Sequence, residues 1–399
     1  MLYRTMPQNG DQLSALGFGC MRLPMKDGAI DRKRAIAQIR QAVDQGVNYV
    51  DTAWPYHGGD SEVLLGEALR DGYRDKVKVA TKLPSWMIRS RADMDRYLDA
   101  QLKRLGISCI DYYLVHALDG DLWDAVAKHG VTEFLDAAKA DGRIVNAGFS
   151  FHGLAPDFKR IVDAYPWIFC QIQYNYLDET FQAGTEGLQY AAAKGLGVVV
   201  MEPLRGGNLG RPTPPPAVAD IWAHAATPRT PVEWALRWVW NHPEVTVVLS
   251  GMNEEAHIEE NLAIASQAAA GSLTAQELAL VEGAAGKYHE LMKVGCTGCG
   301  YCMPCPAGVE IPKCFDLYNQ LHLFGNEAGM KYFYAASLGV VQGEGEGAGF
   351  ASRCVACGAC LEKCPQGIQI PEVLERVVAD LEGEGFDERL AGVRAMFSK

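Results

Sequence analysis

From the start of the chain to about residue 290, short runs rich in Val, Ile, Tyr and Phe alternate with longer stretches whose apolar residues recur every three or four positions. The short runs are "LGFGCMRL" (16–23), "VNYVDTA" (47–53), "VKVATKL" (77–83), "DYYLVHA" (111–117), "IVNAGFS" (144–150), "CQIQYNY" (170–176), "GVVVMEP" (197–203) and "VTVVLSG" (245–251). Gly, Pro, Asn or Asp bound them, and each predicts a strand. Helices are predicted over "RKRAIAQIRQAVDQG", "SEVLLGEALRDG" (opening at Ser61), "RADMDRYLDAQLKRLG" and "TPVEWALRWVWNH", the last with Pro231 in its first turn. Strands alternating with helices predict a parallel sheet, and eight such units in roughly 290 residues predict a closed (β/α)₈ barrel. A doubly wound open sheet is the alternative, disfavoured because no G-x-G-x-x-G follows the first strand.

Beyond the barrel the strand pattern stops. "IPKCFDLYNQLHLFG", "AGMKYFYAASLGVV", "IPEVLERVVADLEG" and "GFDERLAGVRAMFSK" read as helices, and "QGEGEGAGF" (342–350) reads as a mobile acidic loop. The expected organisation is therefore a barrel over 1–285 and a small, mainly helical domain over 286–399, with the boundary near "GAAGKYHELMKVG" (283–295). A formal net charge of −12 argues against a nucleic-acid binder. Apolar runs such as "LGVVVM" are too short to span a bilayer, and no early segment reads as a secretory leader, so a cytoplasmic location is expected.

The cysteines change the picture most. Cys20, Cys109, Cys170 and Cys314 stand singly and read as buried apolar thiols. The other eight fall in two runs. "CVACGACLEKCP" (354–365) has the C-x₂-C-x₂-C-x₃-C-P spacing of bacterial ferredoxins, in which the last cysteine reaches the other cluster. A zinc ribbon needs two C-x₂-C pairs and suits this spacing poorly. "CTGCGYCMPCP" (296–306) is the partner run, one residue short before its last cysteine. The crossed assignment gives one [4Fe–4S] cluster Cys296, Cys299, Cys302 and Cys364, and the other Cys354, Cys357, Cys360 and Cys305. The short spacing makes Cys305 the least secure ligand, and a single cluster on the second run is the alternative. The separation of the runs resembles helical two-cluster ferredoxin domains.

In a (β/α)₈ barrel, chemistry belongs at the C-terminal ends of the strands. Asp51 ends the second predicted strand, Tyr56 follows it, Lys82 ends the third and His116 the fourth. Together they set a carboxylate, a phenol, an ammonium and an imidazole on one rim. At "LGFGCMRLP", "DTAWPYHGGDSEVLLGEAL", "VATKLP", "DYYLVH", "GFSFH", "QIQYNY", "MEPLRGG" and "SGMNEEAHIEEN", the chain resembles the aldo/keto reductase family. With the cysteine-rich tail, it resembles the ferredoxin-fused branch of that family.

The resemblance implies that Asp51, Tyr56, Lys82 and His116 are a catalytic tetrad. A phenol is a poor acid at neutral pH unless a cation stabilises its phenolate. Lys82, held by Asp51, would be that cation, and His116 would hydrogen-bond the carbonyl oxygen. The resemblance also implies an NAD or NADP cofactor. Ser150 and Gln173 would face the nicotinamide amide, and Pro203, Leu204 and Gly206 would lie under the pyrophosphate. Gly251, Glu260 and Asn261 would belong to the adenosine-end loop. Departures bear on the choice between NADH and NADPH. Met201 stands where an aromatic usually stacks, Gly251 and His257 replace basic residues, and Glu254 and Glu255 would repel a 2′-phosphate. His152 stands near a position where the family often has Asn, and reads as a substrate contact or a plain replacement. Trp54 and Trp123 read as pocket walls or as ordinary packing.

Nicotinamides move electrons in pairs and clusters move them singly, and no flavin-binding fingerprint is present to join the two. Three functions remain open at this stage. The preferred one is carbonyl/alcohol oxidoreduction of a small molecule, with clusters exchanging electrons with a redox protein partner, a basic one in view of the chain's acidity. The others are a plain nicotinamide-dependent reductase with structural clusters and a non-catalytic redox sensor.

Overall fold

The computed structural model describes residues 1–267, 269–339 and 349–397, the side chains of 395–397 excepted. Most of the Gly- and Glu-rich stretch expected to be a loop, 342–348, lies outside the described residues. All eight predicted strands form: β1 (Leu16–Gly19), β2 (Tyr49–Asp51), β3 (Lys78–Leu83), β4 (Ile110–Leu118), β5 (Ile144–Phe151), β6 (Phe169–Gln173), β7 (Gly197–Met201) and β8 (Val245–Ser250). They pair in parallel in chain order and close from β8 to β1, giving the (β/α)₈ barrel expected from the alternation. A short hairpin, Tyr3–Thr5 with Gln12–Ser14, precedes β1 and was not expected from the pattern.

Outer helices follow the predicted stretches: α1 (Arg32–Asp44), α2 (Asp60–Ala68) and α3 (Arg91–Leu105). Between β4 and β5 the chain forms two helices, α4 (Gly120–Lys128) and α5 (Val131–Ala140), separated by Gly130 at φ +74°. There follow α6 (Ala155–Ala164), α7 (Gly184–Ala193), α8 (Pro216–Trp222), α9 (Pro231–Trp240), α10 (Glu255–Ala265) and α11 (Ala275–Leu291). Helix α9 starts as read, with the Thr230 hydroxyl accepting from Glu233 N and Pro231 in the first turn, where a missing N–H costs nothing.

Strand side chains alternate, so every second residue of each strand enters the barrel. Tyr49, Ala80, Tyr112, Leu114, Phe169, Val199, Val247 and Leu249 fill the interior. The same alternation carries the series upward to Asp51, Lys82, His116, Ser150, Gln173 and Met201. The polar rim is thus the continuation of the apolar core, one step nearer the strands' C-terminal ends.

The chain divides into two compact units, Met1–Leu204 with Arg229–Leu278, and Arg205–Pro228 with Ala279–Lys399. The second unit holds α12 (Ile311–Phe324), α13 (Glu327–Gly339), α14 (Ile370–Leu381) and α15 (Phe386–Phe397), as the tail's periodicity predicts. Gly325 in the left-handed conformation ends α12. Val309, Phe315, Leu317, Tyr334, Leu374 and Val377 are among the residues of its core. This unit also contains the stretch that follows β7. Gly206, at φ +71°, would place a Cβ 1.9 Å from the Thr297 carbonyl oxygen, so only glycine fits there. Asn208 Nδ2 donates to the Cys296 carbonyl at 3.3 Å, and Arg211 pairs with Asp316 at 2.5 Å.

Candidate active site and cysteine centres

Lys82 is fully buried at the top of β3, and its ammonium has three oxygens around it. It donates to Asp51 Oδ1 at 2.6 Å, to the Thr52 carbonyl at 2.8 Å and to Tyr56 Oη at 3.4 Å. Tyr56 opens a tight turn, Tyr56–Gly59, in which His57, Gly58 and Gly59 all have positive φ. The turn reverses the chain between β2 and α2 and sets the phenol beside Lys82. His116, at the same rim, is covered by the Trp86 ring at 5.1 Å and meets the Tyr56 ring edge-on at 6.2 Å.

Burial pushes the Asp51 carboxyl up, against the pull of Lys82. Burial, aided by the charge on Lys82, holds His116 well below the usual imidazole range, so the ring is neutral at neutral pH. Asp51 Oδ2, His116 Nδ1 and Gln171 Oε1 are buried with no hydrogen-bond partner among the described residues. Buried polar atoms are rarely left so, and a rim with spare bonding capacity fits a polar guest.

A second layer supports the turn. Glu62 is fully buried and accepts from Thr81 Oγ1 (2.7 Å), Gln101 Nε2 (2.7 Å) and Arg104 Nη1 (3.0 Å). The Arg104 guanidinium in turn lies 3.4 Å from the Trp54 ring centroid, two residues before Tyr56. Arg104→Ala would leave Glu62 as a buried unpaired charge, an expected loss of about 3 kcal/mol. A thermal-unfolding shift of the barrel would measure it, and Arg104→Lys should recover part. Neither Arg104 nor Trp86 stood out in the sequence. Trp86 follows Lys82 by four residues, the one local signal that would have found it.

Ser150 and Gln173 are buried on the inward-facing rim. Ser150 Oγ accepts from Ala117 N at 2.7 Å, and Gln173 Nε2 donates to Asp178 at 2.8 Å. Pro203 and Leu204 belong to the first unit and Gly206 to the second. Gly251 is exposed, Asn261 donates to Ser250 Oγ at 2.8 Å, and Glu260 accepts from Thr230 Oγ1 at 2.7 Å. Glu254 and Glu255 both pair with Arg34 of α1, with Arg34 Nε donating to Glu255 at 2.8 Å. Their charge is therefore compensated, which weakens the repulsion expected from sequence. Trp54 sits between Arg104 and Tyr97, and Trp123 meets Trp167 edge-on. Of the single cysteines, Cys20, Cys170 and Cys314 are buried as expected, while Cys109 is only partly so, because it lies in the turn leading into β4.

In the second unit the eight clustered cysteines line two cavities. One is walled by Cys296, Cys299, Cys302 and Cys364, together with Pro312, Phe315 and Ile368. The other is walled by Cys302, Cys305, Cys354, Cys357 and Cys360. Cys302 borders both cavities; the other seven thiols divide between them in the same sets as the crossed assignment, with Cys305 beside Cys354, Cys357 and Cys360. Among the described residues no three His, Cys, Asp or Glu side chains converge closely enough to hold a single metal ion. Four thiols around a cavity fit the ligand set of a cuboidal iron–sulfur cluster.

Residues 15–285 match the aldo/keto reductase family and residues 295–368 match the 4Fe-4S dicluster domain. L-galactose dehydrogenase of Arabidopsis thaliana is 28% identical over 302 residues, 70% of this chain and 92% of that protein. Probable aldo-keto reductase 1 of Glycine max is 26% identical over 291 residues, 63% of this chain and 81% of that protein. Among solved structures, the holo form of aldo-keto reductase AKR11C1 from Bacillus halodurans superposes with a TM-score of 0.60 at 25% identity, covering 71% of this chain and 96% of that one. With its eight-stranded barrel and a cysteine-lined helical tail, the chain belongs to the aldo/keto reductase family, in the branch that carries a C-terminal 4Fe-4S dicluster domain.

Proposed function

We propose that this oxidoreductase interconverts a small carbonyl compound and its alcohol with a nicotinamide dinucleotide, and that two [4Fe–4S] clusters link it to a one-electron redox protein. The observation that carries the reading is the buried Lys82 ammonium bound to Asp51 and in reach of Tyr56 Oη. The nicotinamide, held by Ser150 and Gln173, would supply or take the hydride. The remaining work falls to the chain's own groups. Lys82, fixed by Asp51 and the Thr52 carbonyl, stabilises negative charge on the Tyr56 oxygen. Tyr56 gives its proton to the substrate oxygen in reduction and takes it back in oxidation. His116, neutral, donates a hydrogen bond to the same oxygen as charge develops on it. The clusters, held by the crossed cysteine sets, would store and pass single electrons.

Anaerobic addition of NADH, then NADPH, with the visible absorption of the clusters recorded, tests the electron link. Bleaching on the timescale of turnover supports it. An unchanged spectrum while nucleotide and aldehyde are consumed would remove it. The outcome would then favour a plain reductase with structural clusters, a reading with support of its own. Cys296, Cys302, Cys305, Cys354, Cys360 and Cys364 pack against the second unit's apolar core, where a cluster would also act as a staple.

The electrostatics of His116 set a pH expectation. An imidazole held neutral well below its ordinary range does not charge as the pH falls through about 6.5. The profile of kcat against pH is expected to show no acid inflection at that value. An inflection there that disappears in His116→Gln would refute the neutral donor.

A further inference from the structure

His152 follows the last residue of β5 and is part of neither the tetrad nor the expected amide-binding pair. Its backbone N–H donates to the Leu118 carbonyl at 2.8 Å, which fixes the residue beside the end of β4. Its ring Nδ1 lies 3.2 Å from Gln182 Oε1. Gln182 is itself 8% exposed and held at φ +57° in the loop between β6 and α7. Two neighbouring strand ends therefore combine to orient one imidazole.

The ring sits within the electrostatic reach of both Lys82 and His116. Burial is the main cause that lowers its pKa to about 4, with Lys82 adding to it against the opposing pull of Gln182, so it is neutral under ordinary conditions. A neutral imidazole carries one N–H. With Nδ1–H donating to the Gln182 carbonyl, Nε2 holds a lone pair, and Nε2 has no hydrogen-bond partner among the described residues. Tyr56 and His116 would offer donors to the reacting oxygen, and His152, tied by its backbone to Leu118 two residues beyond His116, adds an acceptor at the same strand ends. An acceptor next to the carbonyl-binding donors complements a substrate group that can donate.

We propose that His152, oriented by Gln182, is a substrate-specificity residue that accepts a hydrogen bond from a hydroxyl near the reacting carbonyl, so that the substrate class is hydroxylated aldehydes or ketones and the matching polyols. The inference rests on the carbonyl-reductase reading and deepens it. A site that hydrogen-bonds a substrate hydroxyl rejects the analogue lacking it, because the site's own polar group is then left unpaired.

The test compares glyceraldehyde with propionaldehyde, which has the same carbon chain without the hydroxyls, using whichever of NADH and NADPH is consumed. The native protein is expected to prefer glyceraldehyde by at least about tenfold in kcat/KM. In His152→Phe the preference should collapse toward unity through a rise in the KM for glyceraldehyde. His152→Asn, which keeps a hydrogen-bonding group, should restore part of it. Gln182→Met, which leaves the imidazole in place but frees its orientation, should give an intermediate ratio. Equal use of the two aldehydes by the native protein, or equal loss on both in His152→Phe, would overturn the assignment. A raised KM for the nucleotide with the aldehyde preference intact would place His152 against the cofactor and also overturn it. Were the native protein to consume neither aldehyde with either nucleotide, the oxidoreductase reading would fall, and this inference with it.

Discussion

Tyr56→Phe is expected to lower kcat by about a hundredfold to ten-thousandfold, the range for removing a positioned acid. The loss should fall on kcat, because the proton is needed in the transition state, and nucleotide binding should persist. The substitution removes only the hydroxyl oxygen. Lys82 keeps its bonds to Asp51 and the Thr52 carbonyl, so its charge remains paired and the ring keeps its place at the rim. Iron content and the clusters' absorption should match the native protein, since no residue of the turn lines either cysteine cavity. Steady-state kinetics and a nucleotide-binding titration check all three expectations. Retention of the native rate would remove Tyr56 from the mechanism. A lost rate with lost nucleotide binding would place the phenol in the binding of the nucleotide rather than in proton transfer.

Exchanging single cysteines for serine should have effects that cross the two runs. Cys364→Ser, in the second run, is expected to deplete the cluster of the first, because Cys364 shares a cavity with Cys296, Cys299 and Cys302. Cys305→Ser, in the first run, should deplete the cluster held by Cys354, Cys357 and Cys360. Each variant should lose about four of about eight irons, with the other cluster retained. Iron and acid-labile sulfide assays on anaerobic protein, with the resonance of the reduced cluster, measure this. Native iron content in Cys305→Ser would exclude Cys305 as a ligand. Loss of both clusters in either variant would instead show that the unit folds only around the pair. That result has a physical basis too, for the thiols pack directly on Ile311, Phe315 and Ile370 and an emptied cavity would open the core to water.

The barrel was legible because its cause is local. Alternation of period two, interrupted by stretches of period three to four, is written in consecutive residues, and closure in chain order needs nothing more. Asp51, Lys82 and His116 were legible for the same reason: each extends an inward-facing apolar series by one polar residue at the strand's end. The two cysteine groups were legible from spacing. Where Cys305 sits was not, since one missing residue in a loop can be absorbed by backbone geometry, and only the folded unit shows it beside Cys354, Cys357 and Cys360.

What the sequence by itself determined was therefore the order of elements, the polar rim and the two sets of thiols, each the product of short-range periodicity or spacing. The tertiary structure decided which distant side chains meet. Arg104 reaches Glu62 across 42 positions and steadies the turn that bears Tyr56, while Arg34 reaches Glu254 and Glu255 across more than two hundred. Trp86 covers His116, Gln182 orients His152, and Gly206 lets the stretch after β7 close on Thr297. Apart from the four-residue offset of Trp86 from Lys82, these pairs leave no pattern in the chain. Each partner alone is an ordinary charged, aromatic or small residue, and the interaction exists only once the barrel, or the helical unit, has brought the two together.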